Sequence, residues 1–180
     1  HREEGLTVAV IEQEKIFNEF SSGAPDASAY RRLMKMFYDR AEGNENVRPR
    51  YLLLFGDGSY NNRKSMEKLH SPECNMLLTY QSKTSIDERE SFVIEDYFGF
   101  LEDNSGEEIK VDKVCLGIGR FPISSIKNAR LVVDKLYRYV HDKDFSSWKN
   151  NICIAADDGD EAIHAEQADR GSDTLLLKNT

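Results

Sequence analysis

The chain has 180 residues, 39% of them hydrophobic and 31% charged, with a formal net charge of −8. That length is enough for one domain with its own core, and the acidic balance gives nucleic-acid binding little electrostatic support. Apolar runs stay well short of the ~20 residues that span a bilayer, and three cysteines are too few for a disulfide framework.

The first residues, His1-Arg2-Glu3-Glu4-Gly5-Leu6, read as the end of a helix running into a strand, so an excised fragment is expected to begin here. Residues 6–11 (L-T-V-A-V-I) read as a strand, and 15–20 as a short helical or irregular link. Turn chemistry follows at Gly23 and Pro25. Ala27, Tyr30, Leu33, Met34, Phe37, Tyr38 and Ala41 then recur at helical spacing, with Asp26 placed to cap the helix and Gly43 to stop it.

Tyr51–Phe55 is a nearly continuous apolar run, as expected of a strand covered on both faces. It breaks at Gly56-Asp57-Gly58, and a polar connection leads to a short strand at 76–80. Residues 81–91 are charged and read as a mobile connection. Residues 97–101 and 109–117 flank Glu102-Asp103-Asn104-Ser105-Gly106, which predicts a hairpin. Ser124 or Ser125 caps the next helix, whose stripe is Ile126, Ala129, Val133, Leu136, Tyr137 and Val140. His141 falls at its C-terminal end, where capping is favoured over catalysis. Residues 152–156 are the last clear strand, and a helix begins over 161–169. The alternation predicts an α/β protein, a three-layer α/β/α sandwich with a mostly parallel sheet and an added hairpin.

Several motifs carry chemistry on paper. Gly56-Asp57-Gly58-Ser59-Tyr60-Asn61 follows a strand, but Asn61 stands where a dinucleotide loop needs glycine, and Asp57 would repel a pyrophosphate. Asp57, Ser59 and Asn61 match the first ligand positions of a calcium loop; Asn62 and Lys68 then break the pattern. A tight turn is the better reading there. Arg120, in Gly117-Ile118-Gly119-Arg120-Phe121-Pro122, either binds a carboxylate or ties two strand ends together, and the tie is favoured. Cys115 and Cys153 sit in strand-like apolar runs and read as buried, inert thiols, whereas Cys74 lies in a loop without a neighbouring base.

Asp157-Asp158-Gly159-Asp160 ends an apolar run, where open α/β sheets gather their chemistry. Three readings stand: Asp160 as a helix cap, adjacent carboxylates holding a divalent ion, or one carboxylate orienting a histidine from elsewhere. His164, one turn on, either faces the same site or is a surface or core histidine.

Taken together, residues 17–23 with Pro25-Asp26-Ala27, Tyr51–Asp57, Asp96–Gly99, Gly117–Phe121 and the turn at 155–160 resemble the gingipain family of cysteine peptidases. Within that family the runs at 56–61 and 96–101 look closest to its sortase branch. The resemblance implies a caspase-like fold of two subdomains and peptide-bond cleavage by a Cys–His pair. For the sortase branch it implies removal of C-terminal sorting domains from type IX secretion cargo at the outer membrane. The family's Gly-His-Gly segment and its strand-end cysteine have no match here, so residues 1–180 are expected to be the first subdomain, inactive alone, its partner being the remaining half of the domain. One role carries over: Asp158 occupies the position of the acid that supports the catalytic histidine, and His164 matches a histidine of the family helix. Structural calcium is compatible with the acidic loops, and no cofactor is required. Open sheet edges would favour a homodimer or exchanged elements. The competing reading is a non-catalytic α/β scaffold or calcium-binding module; magnesium-dependent phosphoryl transfer by Asp157 and Asp158 is the weakest.

Overall fold

A computed structural model of the chain describes residues 5–63, 76–84, 86–109, 111–144, 146–157 and 160–177. The chain divides into two compact units, residues 1–136 and 137–180.

The first unit is built on two helices and a parallel strand pair. Helix α1, Gln13–Phe20, buries Ile16 and Phe17, and α2, Ser28–Arg40, buries Ala29, Tyr30, Leu33 and Met34. Asp26 caps α2 as expected. Ala27 already has helical angles, and the Asp26 carboxylate accepts from the Ser28 N–H at 2.8 Å and the Ser28 hydroxyl at 2.6 Å. Gly43, at φ +80°, follows the helix end in a conformation that favours glycine.

Strand β1, Tyr51–Phe55, pairs in parallel with β2, Gly117–Phe121, from Tyr51 opposite Gly117 to Phe55 opposite Phe121. Leu52 and Leu54 turn toward the core, and Tyr51, Leu53 and Phe55 remain exposed. The run is therefore covered on one face rather than both. Gly117 allows a close approach: a Cβ there would lie 3.0 Å from the Tyr51 ring.

Between the strands, Asp96–Gly99 forms a 3-10 turn whose aromatic side chains fill the core. Phe98, Phe100 and Leu101 are essentially inaccessible to solvent. Tyr30 stacks on Phe17 at 5.7 Å between ring centroids and meets Phe98 edge-on at 5.5 Å. Burying one such phenylalanine contributes about 1.5–3 kcal/mol. The 3-10 conformation of Asp96–Gly99 excludes the predicted hairpin arm over 97–101, which is corrected to this compact turn. The turn chemistry itself is right: Ser105 N–H bonds Glu102 O, and Asn104 and Gly106 have positive φ. Of the would-be ladder, one bond from Cys115 N–H to Gly99 O is present at 2.8 Å.

Two further strand predictions give extended chain without ladder partners among the described residues. Residues 6–11 and 152–156 form no strand ladder among the described residues, with Val10 and Ile152 largely exposed. Over 76–80, Met76 makes one parallel bridge to Asp57, and side chains hold Leu78 and Thr79. Asn62 acts there as a surrogate strand, its amide donating to Thr79 O at 2.8 Å while its carbonyl oxygen accepts from Thr79 N–H at 3.1 Å. The loop that follows is closed at its neck. Ser82 N–H bonds Phe92 O and Ile94 N–H bonds Tyr80 O, both at 3.0 Å, and Tyr80 stacks on buried Tyr97.

Helix α3, Ile126–His141, is capped by Ser125, whose carbonyl takes the Ala129 N–H at 2.9 Å. None of its residues is buried, so the predicted stripe faces outward at Ile126, Val133, Tyr137 and Val140. In the second unit a 3-10 turn at Ser147–Asn150 sets the Trp148 indole N–H on Asp144 at 2.9 Å. Helix α4, Ile163–Leu177, starts two residues later than predicted. Asp160–Ala162 is a separate 3-10 turn, and the left-handed angles of Glu161 and Ala162 (φ 59° and 61°) prevent it from joining the helix.

Candidate functional site

In the first unit, chemistry-bearing groups collect where β1 ends. Arg120 projects from β2 with only 11% of its side chain exposed. Its Nε and Nη2 grip Glu95 at 2.7 and 3.1 Å, Nη1 reaches the Gly56 and Asp57 carbonyls at 3.2 and 3.3 Å, and Nη2 also reaches Leu78 O at 3.0 Å. This is the predicted tie between strand ends, with its guanidinium occupied on every side. Glu95 was not foreseen; the Glu95-Asp96 pair between apolar runs was its one available signal. Gly58 is required beside the clamp, because a Cβ there would stand 2.8 Å from Thr79 Cγ2 and 3.2 Å from Arg120 Cζ.

The first three calcium-loop oxygens are engaged within their own turn. Asp57 Oδ1 accepts from Gly58 N–H, Ser59 Oγ from Asn61 N–H, and Asn61 Oδ1 from Arg63 N–H, so the oxygens serve their own turns. No group of three or more His, Cys, Asp or Glu is placed to hold a metal among the described residues.

In the second unit, Asp157 Oδ1 and His164 Nδ1 lie 2.6 Å apart. The kinked turn at Asp160–Ala162 brings the histidine back toward the end of the extended run. Both side chains are open to water, at 51% for His164 and 70% for Asp157, so screening holds the pair to about 1 kcal/mol or less. A carboxylate on Nδ1 fixes the ring's orientation and leaves Nε2 for another partner. Asp158, the predicted supporting acid, lies outside the described residues, as does Cys74.

His141 takes the capping role expected of it, with Nδ1 2.9 Å from Tyr137 O and its ring stacked on Tyr137 at 4.0 Å. Cys115 is half-buried beside the start of β1, whereas Cys153 is exposed. The buried reading of Cys153 is thus corrected: among the described residues its run has no strand partner to cover it. Among the described residues no helix is long and apolar enough to cross a membrane.

Comparison with known proteins bears on both units. The sequence matches the profile of peptidase family C25 over residues 1–178. Among solved structures, the chain is similar to dimeric latent PorU from Porphyromonas gingivalis, with 39% identity and a TM-score of 0.68. The likeness covers 88% of this chain and 15% of that one, so the chain spans a small part of the PorU it matches. No curated protein matches. At this identity the shared α/β architecture is the caspase-like one of PorU.

Proposed function

This chain belongs to peptidase family C25, the gingipain family of cysteine peptidases, and on that premise we propose that it forms the first subdomain of a PorU-type endopeptidase. The observation that carries the reading is the 39% identity to PorU sustained over 88% of the chain. In this reading the three-layer sandwich is completed by the remaining half of the peptidase domain, which supplies the nucleophilic cysteine and its histidine. Residues 1–180 by themselves cleave nothing. The substrates are secreted proteins whose C-terminal sorting domains are removed at the outer membrane or cell surface, within type IX secretion. The reaction requires no cofactor, and any calcium acts structurally, away from residues 57–61. Since the similar PorU is described as dimeric and latent, a homodimer is the resting assembly in this proposal.

Asp158 is assigned the role of orienting the catalytic imidazole and stabilising its cation. Engagement of Asp157 by His164 supports this choice, because one of the two adjacent carboxylates already has an imidazole. His164 then positions the turn without touching substrate. The test is Asp158→Ala in the intact parent, with cargo processing as the assay. Loss of the supporting acid should lower kcat/KM by about 10²-fold or more while folding is kept. Unchanged turnover in a folded variant removes Asp158 from the mechanism.

A further inference from the structure

The turn that leads into α4 carries two consecutive residues in the left-handed region, Glu161 at φ 59° and ψ 33° and Ala162 at φ 61°. Neither is a glycine, and neither has the short polar side chain that bonds its own backbone there. Each such residue lowers the population of its conformer by roughly tenfold, so the pair sets about a hundredfold against this form. Among the described residues, the side-chain contact that spans the turn is Asp157 Oδ1 to His164 Nδ1 at 2.6 Å. Both groups are open to water, so this contact returns about fivefold at most. The amino-acid types favour a plain helix start instead. Asp160 is a preferred cap, Glu161 is an acid placed in the first turn, and Glu161 and Ala162 are both good helix formers. Backbone strain of this kind collects at switch regions.

We propose that residues 160–162 are a two-state hinge. In the kinked form α4 begins at Ile163 and His164 holds Asp157. In the helical form Glu161 and Ala162 turn right-handed and α4 runs back to Asp160 as its cap. His164 then lies about 6 Å along the axis from that cap and gives up Asp157. Bonds from the His164 and Ala165 N–H groups to the Asp160 and Glu161 carbonyls belong to the helical form, since the first amides of a helix lack such acceptors. The hinge itself stands on the backbone alone; its role rests on the peptidase reading. There it regulates the strand end to which Asp158 belongs. The kinked form keeps the neighbouring carboxylate on an internal imidazole, and the helical form frees this end for the imidazole of the remaining half. Docking of that second imidazole draws the turn into the helical form.

Relaxation dispersion on the backbone amides from Glu161 to Ala165 in the full 180-residue chain tests the hinge. Microsecond–millisecond exchange is expected there, and it should vanish in two opposite variants. Ala162→Gly accepts the left-handed angles and weakens the helix, so it settles in the kinked form. Ala162→Pro fixes φ at about −65°, is tolerated in a first turn, and settles in the helical form. Hydrogen exchange of the His164 and Ala165 amides should be about tenfold slower in Ala162→Pro than in Ala162→Gly. Asp157→Asn removes the charge that holds His164 and should shift the populations toward the helical form by up to about fivefold. Flat dispersion in the unsubstituted chain, or equal amide exchange in Ala162→Gly and Ala162→Pro, would overturn the hinge. In the intact parent, Ala162→Gly should process cargo about tenfold more slowly than Ala162→Pro. Equal processing, with dispersion present, would refute the regulatory role. No cargo processing by the unsubstituted parent would sink the peptidase reading and that role with it, while the hinge is decided by dispersion.

Discussion

Replacing Arg120 with methionine removes the clamp at the end of β1 while keeping most of the side chain's volume. Five contacts are lost: two to Glu95 and three to the carbonyls of Gly56, Asp57 and Leu78. The carbonyls lose less than the carboxylate does, since Asp57 O retains the Leu77 N–H at 2.7 Å. Glu95, with 27% of its side chain exposed, is left as a mostly buried anion without its cation. Breaking such a pair from one side costs about 3–5 kcal/mol. With a urea m-value of about 2 kcal/mol/M for a chain of this size, the unfolding midpoint should fall by roughly 1.5–2.5 M. Glu95→Gln keeps an acceptor oxygen and should cost about 1–2 kcal/mol, and the double variant should recover part of the sum through a coupling of about 1–3 kcal/mol. Far-UV circular dichroism in urea measures all three variants. An Arg120→Met loss below about 1 kcal/mol, or additivity in the cycle, would refute the view that this ion pair holds the strand ends together.

Burial pushes the Tyr30 hydroxyl up to about 12 from an ordinary 10.0, so the unfolded chain loses this proton first. The corresponding stability is fully present below pH 10, is lost as pH rises toward 12, and amounts to up to about 3 kcal/mol; alkaline unfolding followed by fluorescence should lose that slope in Tyr30→Phe. At neutral pH the same variant gives up bonds to Gln13 Oε1 and Leu78 N–H, a loss of about 1–3 kcal/mol in urea. Gly99→Ala would place a Cβ 2.7 Å from Val114 Cγ1 and 2.8 Å from Ile118 Cδ1, and overpacking there should lower stability by about 1–3 kcal/mol in a melting experiment. Asp144 is held at about 2 by hydrogen bonds from the Trp148 indole, the Ser146 hydroxyl and the Ser146 N–H; Trp148→Phe should return its carboxyl toward the ordinary aspartate range in an NMR titration.

Helices were the most legible part of the chain. The spacing from Ala27 to Ala41 marks α2, and the caps at Asp26 and Ser125 lie where the sequence places them. Strands were legible as extended chain but not as pairs, because a ladder depends on a partner that an apolar run does not name. Residues 6–11 and 152–156 have the right composition and join no strand ladder among the described residues. The reverse holds for β2: Gly117 and Gly119 erase its side-chain alternation, and the close approach of the Tyr51 ring to Gly117 is a tertiary fact. The 3-10 turn at Asp96–Gly99 was misread because adjacent aromatics suggest a strand until both are seen to be buried. At the candidate site, His164 was singled out, but its bond to Asp157 depends on the left-handed kink at Glu161 and Ala162, which no residue type there announces.

The neck closed by Tyr80, Ser82, Phe92 and Ile94 separates what lies beyond it from the core. Tyr80 and Tyr97 anchor its base, while Asp87, Glu88 and Arg89 toward the far end are exposed. Length beyond the neck is therefore nearly neutral for folding, since doubling a loop adds only about 0.6 kcal/mol of closure entropy. That makes this segment the natural place for homologues to differ in size, and for an epitope or fluorophore to be grafted without disturbing the Arg120 clamp.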